Sequence, residues 1–555
     1  MKHRPKKTPK RQPKGNSETR ERIPRVALIG AGDRGTVYTD WIASHQDTAS
    51  RRRGFTRRNA SSSNRTALSL VAVAEPNETR RTRLAARHGL DESRTFTDWQ
   101  TLFDRVSPHD LDGVIVATGD REHVEPACAA LERGHHILLE KPMATDAQGL
   151  RRLRAAEANS PGGSITVCHV LRHSEVFRTI KLCIDAGEIG DVMTIYHAEN
   201  VSYYHMAHSF VRGRWRNSAE SSPMILAKSC HDLDLMCWFA GSRPVWVAST
   251  SERSLFRSEN APAGAPERCT DGCPVADSCP FEAVSTYRDG VPIKRALKRQ
   301  GGARGAAAAC ILASPKLIGS LPGLRRYRVW PLWPTSTITD DPSESGIMRA
   351  LEAGPYGRCV YRCDNDQPDH QETIVRFASG ATASFRMHGH SHDEGRTLRI
   401  DGTRGTIRAT FGGTSSVELD THGEDHAREL PVPSEPFGHA GADSALMAAW
   451  SSRLHGELQP SSSGGRANAS VRKSAEEPAN ASAHEPAAPP AGEPAAPPAG
   501  EPAAFSSSGP AAPPSGDSAL VSHIAALAAA ESSRTGTAID LTRWTSENGL
   551  TGLTR

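Results

Sequence analysis

Near the N-terminus the chain reads Val26-Ala27-Leu28-Ile29-Gly30-Ala31-Gly32-Asp33-Arg34-Gly35, an apolar run followed by a glycine-rich turn. Gly30 permits a tight bend, Gly32 lets the backbone approach a pyrophosphate, and Gly35 lets the next helix pack on the strand. The free N–H groups at the start of that helix, around Asp33 and Arg34, stabilise phosphate charge. Because the turn lies between a predicted strand and a predicted helix, it favours a dinucleotide-binding site over an ordinary strand-to-helix turn.

Strands and helices alternate from residue 23 to residue 146. The predicted strands are Val26–Ile29, Leu68–Ala74, Gly113–Ala117 and His136–Leu139, and the predicted helices are Gly35–Ser44, Glu78–Arg87 and His123–Arg133. This order is typical of parallel βαβ units and predicts an α/β fold with a doubly wound Rossmann sheet. The Arg/Ser-rich residues 46–66 fall between the first helix and the second strand and are interpreted as an exposed insertion.

A second domain is predicted from residue 147 to residue 456. A helix that ends near Ala158 leads to the strand Ile165–Val170, and later β-rich stretches are Thr373–Phe377, Ala381–His388 and Thr397–Ile400. This mixture of helices and strands predicts an α+β domain with an open, mainly antiparallel sheet.

Two segments lack the composition of a packed core. Residues 457–518 contain Glu-Pro-Ala-Ala-Pro-Pro-Ala-Gly repeats and almost no large apolar side chains, so we expect a disordered insertion there. Residues 1–22 carry nine Lys/Arg and two Glu and are expected to form a disordered basic tail. Ordered sequence is expected to resume at 519, where residues 519–555 complete the second domain with a helix from Leu520 and a last strand near Ile539.

The net charge of +4 is unevenly distributed along the chain. Positive charge is concentrated in residues 1–22 and in residues 51–65, which contain six Arg and no acid. Neither segment has a hydrophobic face, so solvated segments are favoured over a tether to nucleic acid or to a membrane. No apolar run is long enough for a transmembrane helix, and the N-terminus lacks the apolar region of a secretory signal. We therefore expect a cytoplasmic protein whose eleven cysteines stay as thiols or bind metal.

Two charged residues stand at the ends of predicted strands of the first domain. Glu75 follows the second strand, where an acid binds the ribose hydroxyls of a dinucleotide and repels a 2′-phosphate, which favours NAD over NADP. Arg80 and Arg81 follow closely and leave NADP possible. Lys141 follows the strand His136–Leu139, so its ammonium group is expected at the ligand crevice, where it can hold developing alkoxide charge.

The chain resembles the Gfo/Idh/MocA oxidoreductase family, which includes glucose–fructose oxidoreductase and inositol dehydrogenase. The resemblance rests on motifs in both predicted domains: Val26–Gly35, Val116-Ala117-Thr118 with His123, Ala129–Thr145 with Glu140-Lys141-Pro142, His231-Asp232-Leu233-Asp234 with Trp238, and Gly402–Ile407. It implies an N-terminal Rossmann domain and a second domain whose open sheet forms the interface of a homo-oligomer. It also implies hydride transfer between NAD(P) and a small carbohydrate or cyclitol, with no specific nucleic-acid or membrane partner.

The resemblance implies roles for individual residues. Lys141 matches the family's catalytic lysine, and His231 matches its catalytic histidine, which would act as general base. Cofactor contacts are expected from Gly30, Gly32, Asp33, Arg34, Gly35, Glu75, Thr118, His123, Glu140 and Lys141. Substrate contacts are expected from Arg172, Tyr204, His208, Arg214, Trp215 and Lys228. Many relatives have an Asp four residues before the histidine, but this chain has Ala227 there, with Lys228 beside it as a candidate replacement.

Two alternatives to a dehydrogenase stay open at this point. Some members of the family keep NAD bound as a recycled redox aid in glycoside cleavage. The absence of the Asp at position 227 also leaves open a ligand sensor that retains the cofactor fold without catalysis.

Three cysteines stand close together in Cys269-x₃-Cys273-Pro274-x₅-Cys279. With a distant fourth ligand, for which Cys310 is the candidate, they could bind zinc. The spacing differs from the paired Cys-x₂-Cys signature, and a long polar, Gly/Ala-rich stretch precedes Cys310. We therefore expect no bound metal and a loop that shapes substrate access.

Overall fold

The computed structural model describes residues 22–51, 67–313, 329–330, 332–433, 440–457 and 515–551. These residues form two β-sheets with helices packed on them. Most of the predicted tail 1–22, of the insertion 46–66 and of the insertion 457–518 lies outside the described residues.

The first sheet consists of parallel strands, namely β1 (Arg25–Ile29), β2 (Ser69–Ala74), β3 (Thr95–Phe96), β4 (Gly113–Val116), β5 (His136–Leu139) and β6 (Ile165–Val167). Their order across the sheet is β3-β2-β1-β4-β5-β6, which is the Rossmann arrangement. β1 and β4 are buried along almost their whole length, as expected for a parallel sheet with both faces covered. The predicted doubly wound α/β fold is therefore confirmed, and β3 is added to it. The strand Ile165–Val170 had been predicted in the second domain, but β6 pairs with β5 and belongs to this first sheet.

The helices that connect these strands are α1 (Asp33–Arg51), α2 (Glu78–His88), α3 (Trp99–Arg105), α4 (Val124–Glu132) and α5 (Ala147–Ala158). Side-chain caps explain where three of them begin. Asn77, Asp98 and Asp146 each accept a hydrogen bond from a backbone N–H group of the first turn that follows. α1 continues to Arg51, beyond the start of the predicted insertion at residue 46.

The second sheet contains, among the described residues, β7 (Val192–Ser202), β8 (Pro244–Glu252), β9 (His370–Phe377), β10 (Thr382–Ser391), β11 (Gly395–Gly402), β12 (Gly405–Gly412), β13 (Ser416–Thr421), β14 (Arg428–Leu430) and β15 (Ile539–Asp540). Its order is β14-β13-β12-β11-β7-β10-β9-β8-β15, and the strands are antiparallel except for the parallel pair β7 and β10. In β10, Ala383, Phe385 and Met387 are buried while Arg386 is exposed, so one face of the sheet is open. This confirms the predicted open, mainly antiparallel sheet.

The remaining helices are α6 (Glu175–Asp185), α7 (Tyr203–Met206), α8 (Met224–Ala227), α9 (Cys230–Ala240), α10 (Val291–Gln300), α11 (Gly302–Ala313), α12 (Glu344–Ala353), α13 (Ala440–Glu457), α14 (Gly516–Thr535) and α15 (Leu541–Glu547). α6, α9 and α14 contact strands of the second sheet. Over the described part of the chain, no helix combines the length and the apolar character needed to cross a bilayer.

α13 packs on the first domain, whereas the sequence had placed residues up to 456 in the second domain. Its side chains Leu446, Met447 and Trp450 belong to the same apolar cluster as Val26 and Leu28 of β1. The chain therefore returns to the Rossmann sheet with α13 before α14 rejoins the second domain.

Trp450 is fully buried, so replacing it tests whether α13 is part of the first core. We expect Trp450→Ala to lower the free energy of unfolding by about 3–5 kcal/mol, through lost burial and a residual cavity. Urea unfolding followed by circular dichroism measures this change. Leu182→Ala is the control, because Leu182 is 42% exposed, and it should change stability by much less. Equal effects of the two substitutions would contradict the assignment of α13.

Candidate active site

The turn after β1 leaves the space that a pyrophosphate needs. Gly30 has φ +93°, and a Cβ atom there would lie 2.5 Å from the carbonyl oxygen of Ala117. A Cβ atom on Gly35 would lie 2.1 Å from the carbonyl oxygen of Gly30, so both positions require glycine. A Cβ atom on Gly32 would meet nothing within 4 Å, so the start of α1 faces open space. These residues fit a phosphate group bound at a helix N-terminus.

Positive charges surround the same turn. Burial raises the pKa of the Asp33 carboxyl, and Arg80, Arg83 and Arg214 act in the opposite direction. Arg214 comes from the second domain, and a Cβ atom on Gly119, after β4, would lie 2.7 Å from its guanidinium. Guanidinium groups from both domains therefore favour an anion at this place.

The Glu75 carboxylate is buried at the end of β2 and supports the turn. Its Oε2 atom accepts the N–H of Ala31 at 2.7 Å, and its Oε1 atom accepts the N–H of Asn77 at 2.9 Å. A carboxylate oxygen can accept a second hydrogen bond, so a ribose hydroxyl can still bind here. The geometry fits the predicted ribose contact, which stays a prediction.

Arg34 and Glu140 form an ion pair with each other. The Arg34 Nε atom donates to Glu140 at 2.6 Å, and its Nη2 atom donates to Asp443 and to the Tyr38 hydroxyl, both at 2.6 Å. Burial acts to raise the pKa of Glu140, but Arg34 and Lys141 outweigh burial and the pKa is lowered. Arg34 and Glu140, which were predicted to contact the cofactor, therefore hold α1 against β5 and α13.

Lys141 lies at the carboxyl end of β5 and reaches the second domain. Its Nζ atom donates a hydrogen bond to the backbone carbonyl of Ala227 at 2.5 Å. Ala227 is the last residue of α8 and occupies the position where many relatives have an Asp. A backbone carbonyl therefore orients the lysine ammonium at this position.

Three buried histidines lie near this lysine. His231 is in the first turn of α9, His169 follows β6, and His523 is in α14. The ring centroids of His169 and His231 are 5.6 Å apart, and those of His169 and His523 are 5.3 Å apart. Burial, with the nearby charges of Arg172 and Lys141, holds the pKa of His169 well below its usual range.

His523 is fixed as a neutral imidazole by two backbone groups. Its Nδ1–H donates to the carbonyl of Ala519 at 2.7 Å, and its Nε2 atom accepts the N–H of Met143 at 3.0 Å. Burial, and after it the charge of His169, lowers the pKa of His523 to about 3. Neither His169 nor His523 was predicted from the sequence. The available signal for His523 was a lone histidine in an Ala-rich apolar helix.

Two predicted substrate residues pair with carboxylates of the second domain. Arg172 forms a bidentate ion pair with Asp234 at 2.6 and 2.7 Å. The Lys228 Nζ atom lies 3.4 Å from Glu199 and 3.3 Å from Glu394. Arg172 therefore balances the buried carboxylate of Asp234, which lies on the same helix as His231, and Lys228 balances the buried Glu199 and the partly exposed Glu394.

The other predicted substrate residues fall into two groups. His208 is hydrogen-bonded to the Tyr287 hydroxyl at 3.0 Å, and Tyr204 packs near Trp333, so both lie in a buried aromatic cluster. Trp215 donates from Nε1 to Asp120 at 3.0 Å, and the Arg214 guanidinium lies 5.4 Å from the Trp215 ring. The structure thus brings Arg214 and Trp215, and not Tyr204 and His208, to the loop after β4.

Thr118 and His123 lie on that loop. A Cβ atom built on Gly30 would be 2.9 Å from the backbone nitrogen of Thr118, so the loop closes directly over the glycine turn. The His123 Nδ1 atom donates to the carbonyl of Pro142 at 2.6 Å, and its buried Nε2 atom has no hydrogen-bond partner among the described residues. Their cofactor contacts stay predictions.

The fold and this crevice define a class: a dinucleotide-binding protein with a lysine–histidine cluster between two domains. Family comparison is more specific. Residues 24–165 match the family model described as the oxidoreductase family with an NAD-binding Rossmann fold, and residues 177–291 match the Gfo/Idh/MocA C-terminal domain. These two regions belong to the two domains of the Gfo/Idh/MocA oxidoreductase family, and the first region is the NAD-binding domain of that family.

Relatives in sequence and structure agree with this family. YteT of Bacillus subtilis is 27% identical over 358 residues, which cover 62% of this chain and 72% of YteT. Inositol 2-dehydrogenase 4 of Saccharopolyspora erythraea is 29% identical over 245 residues, which cover 43% of this chain and 60% of the relative. A levoglucosan dehydrogenase solved with NADH and L-sorbose superposes with a TM-score of 0.55 over 93% of this chain and 98% of its own, at 15% identity, which shows the shared fold.

The buried neutral histidines determine how the free energy of unfolding depends on pH. Burial is the leading cause that lowers the pKa of four of them to about 3 or 4: His135, His173, His208 and His523. Between these values and the usual value of 6.5 the unfolded chain binds more protons than the folded chain. Stability should therefore fall as the pH decreases from about 6.5 to about 4.

The melting temperature, measured at intervals across this pH range, tests that expectation. His173→Gln should reduce the slope of melting temperature against pH. The variant lacks one histidine that takes up a proton on unfolding in this pH range. His109→Gln, at an exposed position, should leave the slope unchanged. A melting temperature that rises on acidification would contradict the interpretation.

Proposed function

We propose that this protein is an NAD-dependent dehydrogenase that transfers a hydride between the cofactor and a hydroxyl-bearing carbon of a sugar or cyclitol. The observation that carries the proposal is the position of Lys141 at the carboxyl end of β5, hydrogen-bonded across the crevice to Ala227. Relatives named inositol 2-dehydrogenase and levoglucosan dehydrogenase support the substrate class. When bound, NAD supplies the hydride acceptor, and the protein supplies orientation and proton transfer.

Lys141 binds the reacting oxygen of the substrate in this proposal. One N–H of its ammonium group is used by Ala227, which leaves two donors for a ligand. A hydroxyl oxygen that accepts from Lys141 is stabilised as negative charge develops on it. His231, on α9 across the crevice, accepts the hydroxyl proton as general base.

Two of the histidines near Lys141 are uncharged. His169 and His523 have pKa values far below neutrality because they are buried, so both stay uncharged when the site works near neutral pH. Arg172 is balanced by Asp234 and does not add a free charge to the crevice. His169 and His523 therefore add no positive charge beside Lys141, and the proton acceptor in this proposal is His231.

The open face of the second sheet is our proposal for the contact between copies of the chain. Tyr196 of β7 is 53% exposed and Ile374 of β9 is 48% exposed. Large apolar side chains on a flat sheet face are typical of a protein–protein interface. This supports the expected homo-oligomer.

Loss of the lysine ammonium should reduce turnover much more than cofactor binding. We expect Lys141→Ala to lower kcat by roughly 10²-fold or more, since positioned acid–base groups contribute about 10²–10⁴-fold. NADH formation with a panel of polyols and sugars measures kcat, and cofactor fluorescence measures NAD affinity. Lys181→Ala, at a helix lysine paired with Asp185, is the control and should retain full turnover.

The same assays separate the alternatives. Unchanged turnover in Lys141→Ala would remove this residue from the mechanism. Glycoside cleavage without net NADH would identify the NAD-assisted hydrolase, and NAD and sugar binding without any turnover would identify the ligand sensor.

The Glu75 carboxylate should make the site prefer NAD to NADP. We expect tighter binding of NAD, and we expect Glu75→Ala to narrow the affinity ratio because the repulsion of a 2′-phosphate is lost. Glu78→Ala, at an exposed position three residues further on, is the matched control and should keep the ratio. Equal affinities of the unmodified protein for the two cofactors would contradict the role of Glu75.

A further inference from the structure

A buried carboxylate and two imidazoles meet at one end of the second sheet. Asp369 directly precedes β9, His370 is the first residue of β9, and His390 lies near the end of β10. The His370 Nδ1 atom lies 2.9 Å from the Asp369 Oδ1 atom, and the His390 Nε2 atom lies 3.4 Å from the same oxygen. The three atoms all lie within 4.8 Å of one another. Three potential metal ligands from two neighbouring strands therefore converge on one point.

The chain holds the Asp369 carboxylate in one orientation. Its side chain is fully buried, and its Oδ2 atom accepts the N–H groups of Ser254 at 2.9 Å and Leu255 at 2.7 Å. These backbone donors fix one carboxylate oxygen and leave the other directed at the two imidazoles. Hydrogen bonds that orient a carboxylate in this way are typical of metal sites.

An irregularity in β10 turns His390 towards this carboxylate. The pairing of β10 with β7 changes register between His388 and Ser391. Such irregularities redirect side chains that would otherwise share one face of the strand. The His388 ring accordingly donates to the Asn200 Oδ1 atom of β7 at 3.0 Å, whereas the His390 ring faces Asp369.

Asp369 lacks a permanently charged partner. Over the described part of the chain its ion-pair partners are the two imidazoles, and no Lys or Arg side chain pairs with it. Burial of a carboxylate is costly unless positive charge and hydrogen bonds compensate it. A divalent cation at the Oδ1 atom would supply that charge.

We propose that Asp369, His370 and His390 bind one zinc ion, with water as the fourth ligand. Zinc lies about 2.0–2.2 Å from imidazole nitrogen and carboxylate oxygen, so tetrahedral ligand atoms stand about 3.4 Å apart. The observed separations of 2.9 and 3.4 Å are close to this value. Magnesium and calcium prefer oxygen ligands, so the two imidazoles favour zinc over both. The side chains of His370 and His390 are 45% and 36% exposed, which gives the ion a path from solvent and the water a place.

The zinc ion is structural in this proposal. Gln367, two residues before Asp369, accepts the N–H of Met224 at 2.8 Å. Met224 begins α8, and the last residue of α8 is Ala227, which accepts the hydrogen bond from Lys141. Zinc bound at Asp369 therefore stabilises the segment that supports this side of the crevice. Zinc binding itself does not require hydride transfer, so the two functions can fail separately.

Isothermal titration calorimetry of the metal-stripped, full-length protein with Zn²⁺ tests the site. We expect His370→Gln and His390→Gln each to weaken binding of one zinc per chain by roughly 100-fold or more, since even residues that only support a ligand contribute about 10–100-fold. His392→Gln, at an exposed position beside the site, is the matched control and should bind zinc like the unmodified protein. Equal zinc affinity of folded His390→Gln and of the unmodified protein would overturn the site, and so would the absence of saturable binding.

Cobalt spectroscopy separates this site from the cysteines of the second domain. Co²⁺ bound by thiolates has an intense charge-transfer band in the near ultraviolet, which Co²⁺ bound by imidazole and carboxylate lacks. We expect one Co²⁺ per chain without that band, and the thiolate band at this ratio would overturn the assignment. Circular dichroism shows whether the histidine variants are folded. If they are not, the cobalt spectrum of the unmodified protein decides the question.

Discussion

The buried carboxylate of Glu140 is the group on which the arrangement of the crevice depends. It accepts hydrogen bonds from the Arg34 guanidinium, from the Tyr38 hydroxyl at 2.5 Å and from the backbone N–H of Lys141 at 3.0 Å. Arg34 in turn reaches Asp443 of α13. A single ionised group therefore fixes the glycine turn, the strand end that carries the lysine and a helix from far along the chain. Its charge is stable in the interior because donors surround it.

Local patterns predicted most of the first domain, although the predicted boundary at residue 146 left β6 out of it. The glycine turn, the strands around it and Lys141 all lie within short segments whose structure follows from hydrophobic periodicity and turn chemistry. The boundary of α13 was not predictable in the same way. Its apolar side chains fit either domain, and the choice depends on which sheet face is left uncovered, which is a tertiary property.

Residues that come from distant segments were the ones that sequence reasoning missed. His523 reaches the crevice from α14, beyond the Pro/Ala-rich segment. Cys359, and not the exposed Cys310, lines the same small pocket as Cys269, Cys273 and Cys279, because backbone hydrogen bonds join the two segments. Conversely, His208 looked like a ligand contact because it stands in a polar and aromatic stretch. In the fold its ring stacks on Tyr356 at a centroid distance of 5.0 Å, and this packing accounts for it.

The return of α13 to the Rossmann sheet, followed by α14 on the second domain, makes the two domains interleaved in the chain. A single cut cannot separate them into two continuous pieces. Exchange of one domain between relatives with this arrangement therefore needs several crossovers. Recombination that joins a cofactor domain to a foreign substrate domain at one point would strip the Rossmann sheet of Trp450 and its neighbours. With this topology, the two domains are passed on together unless several crossovers occur.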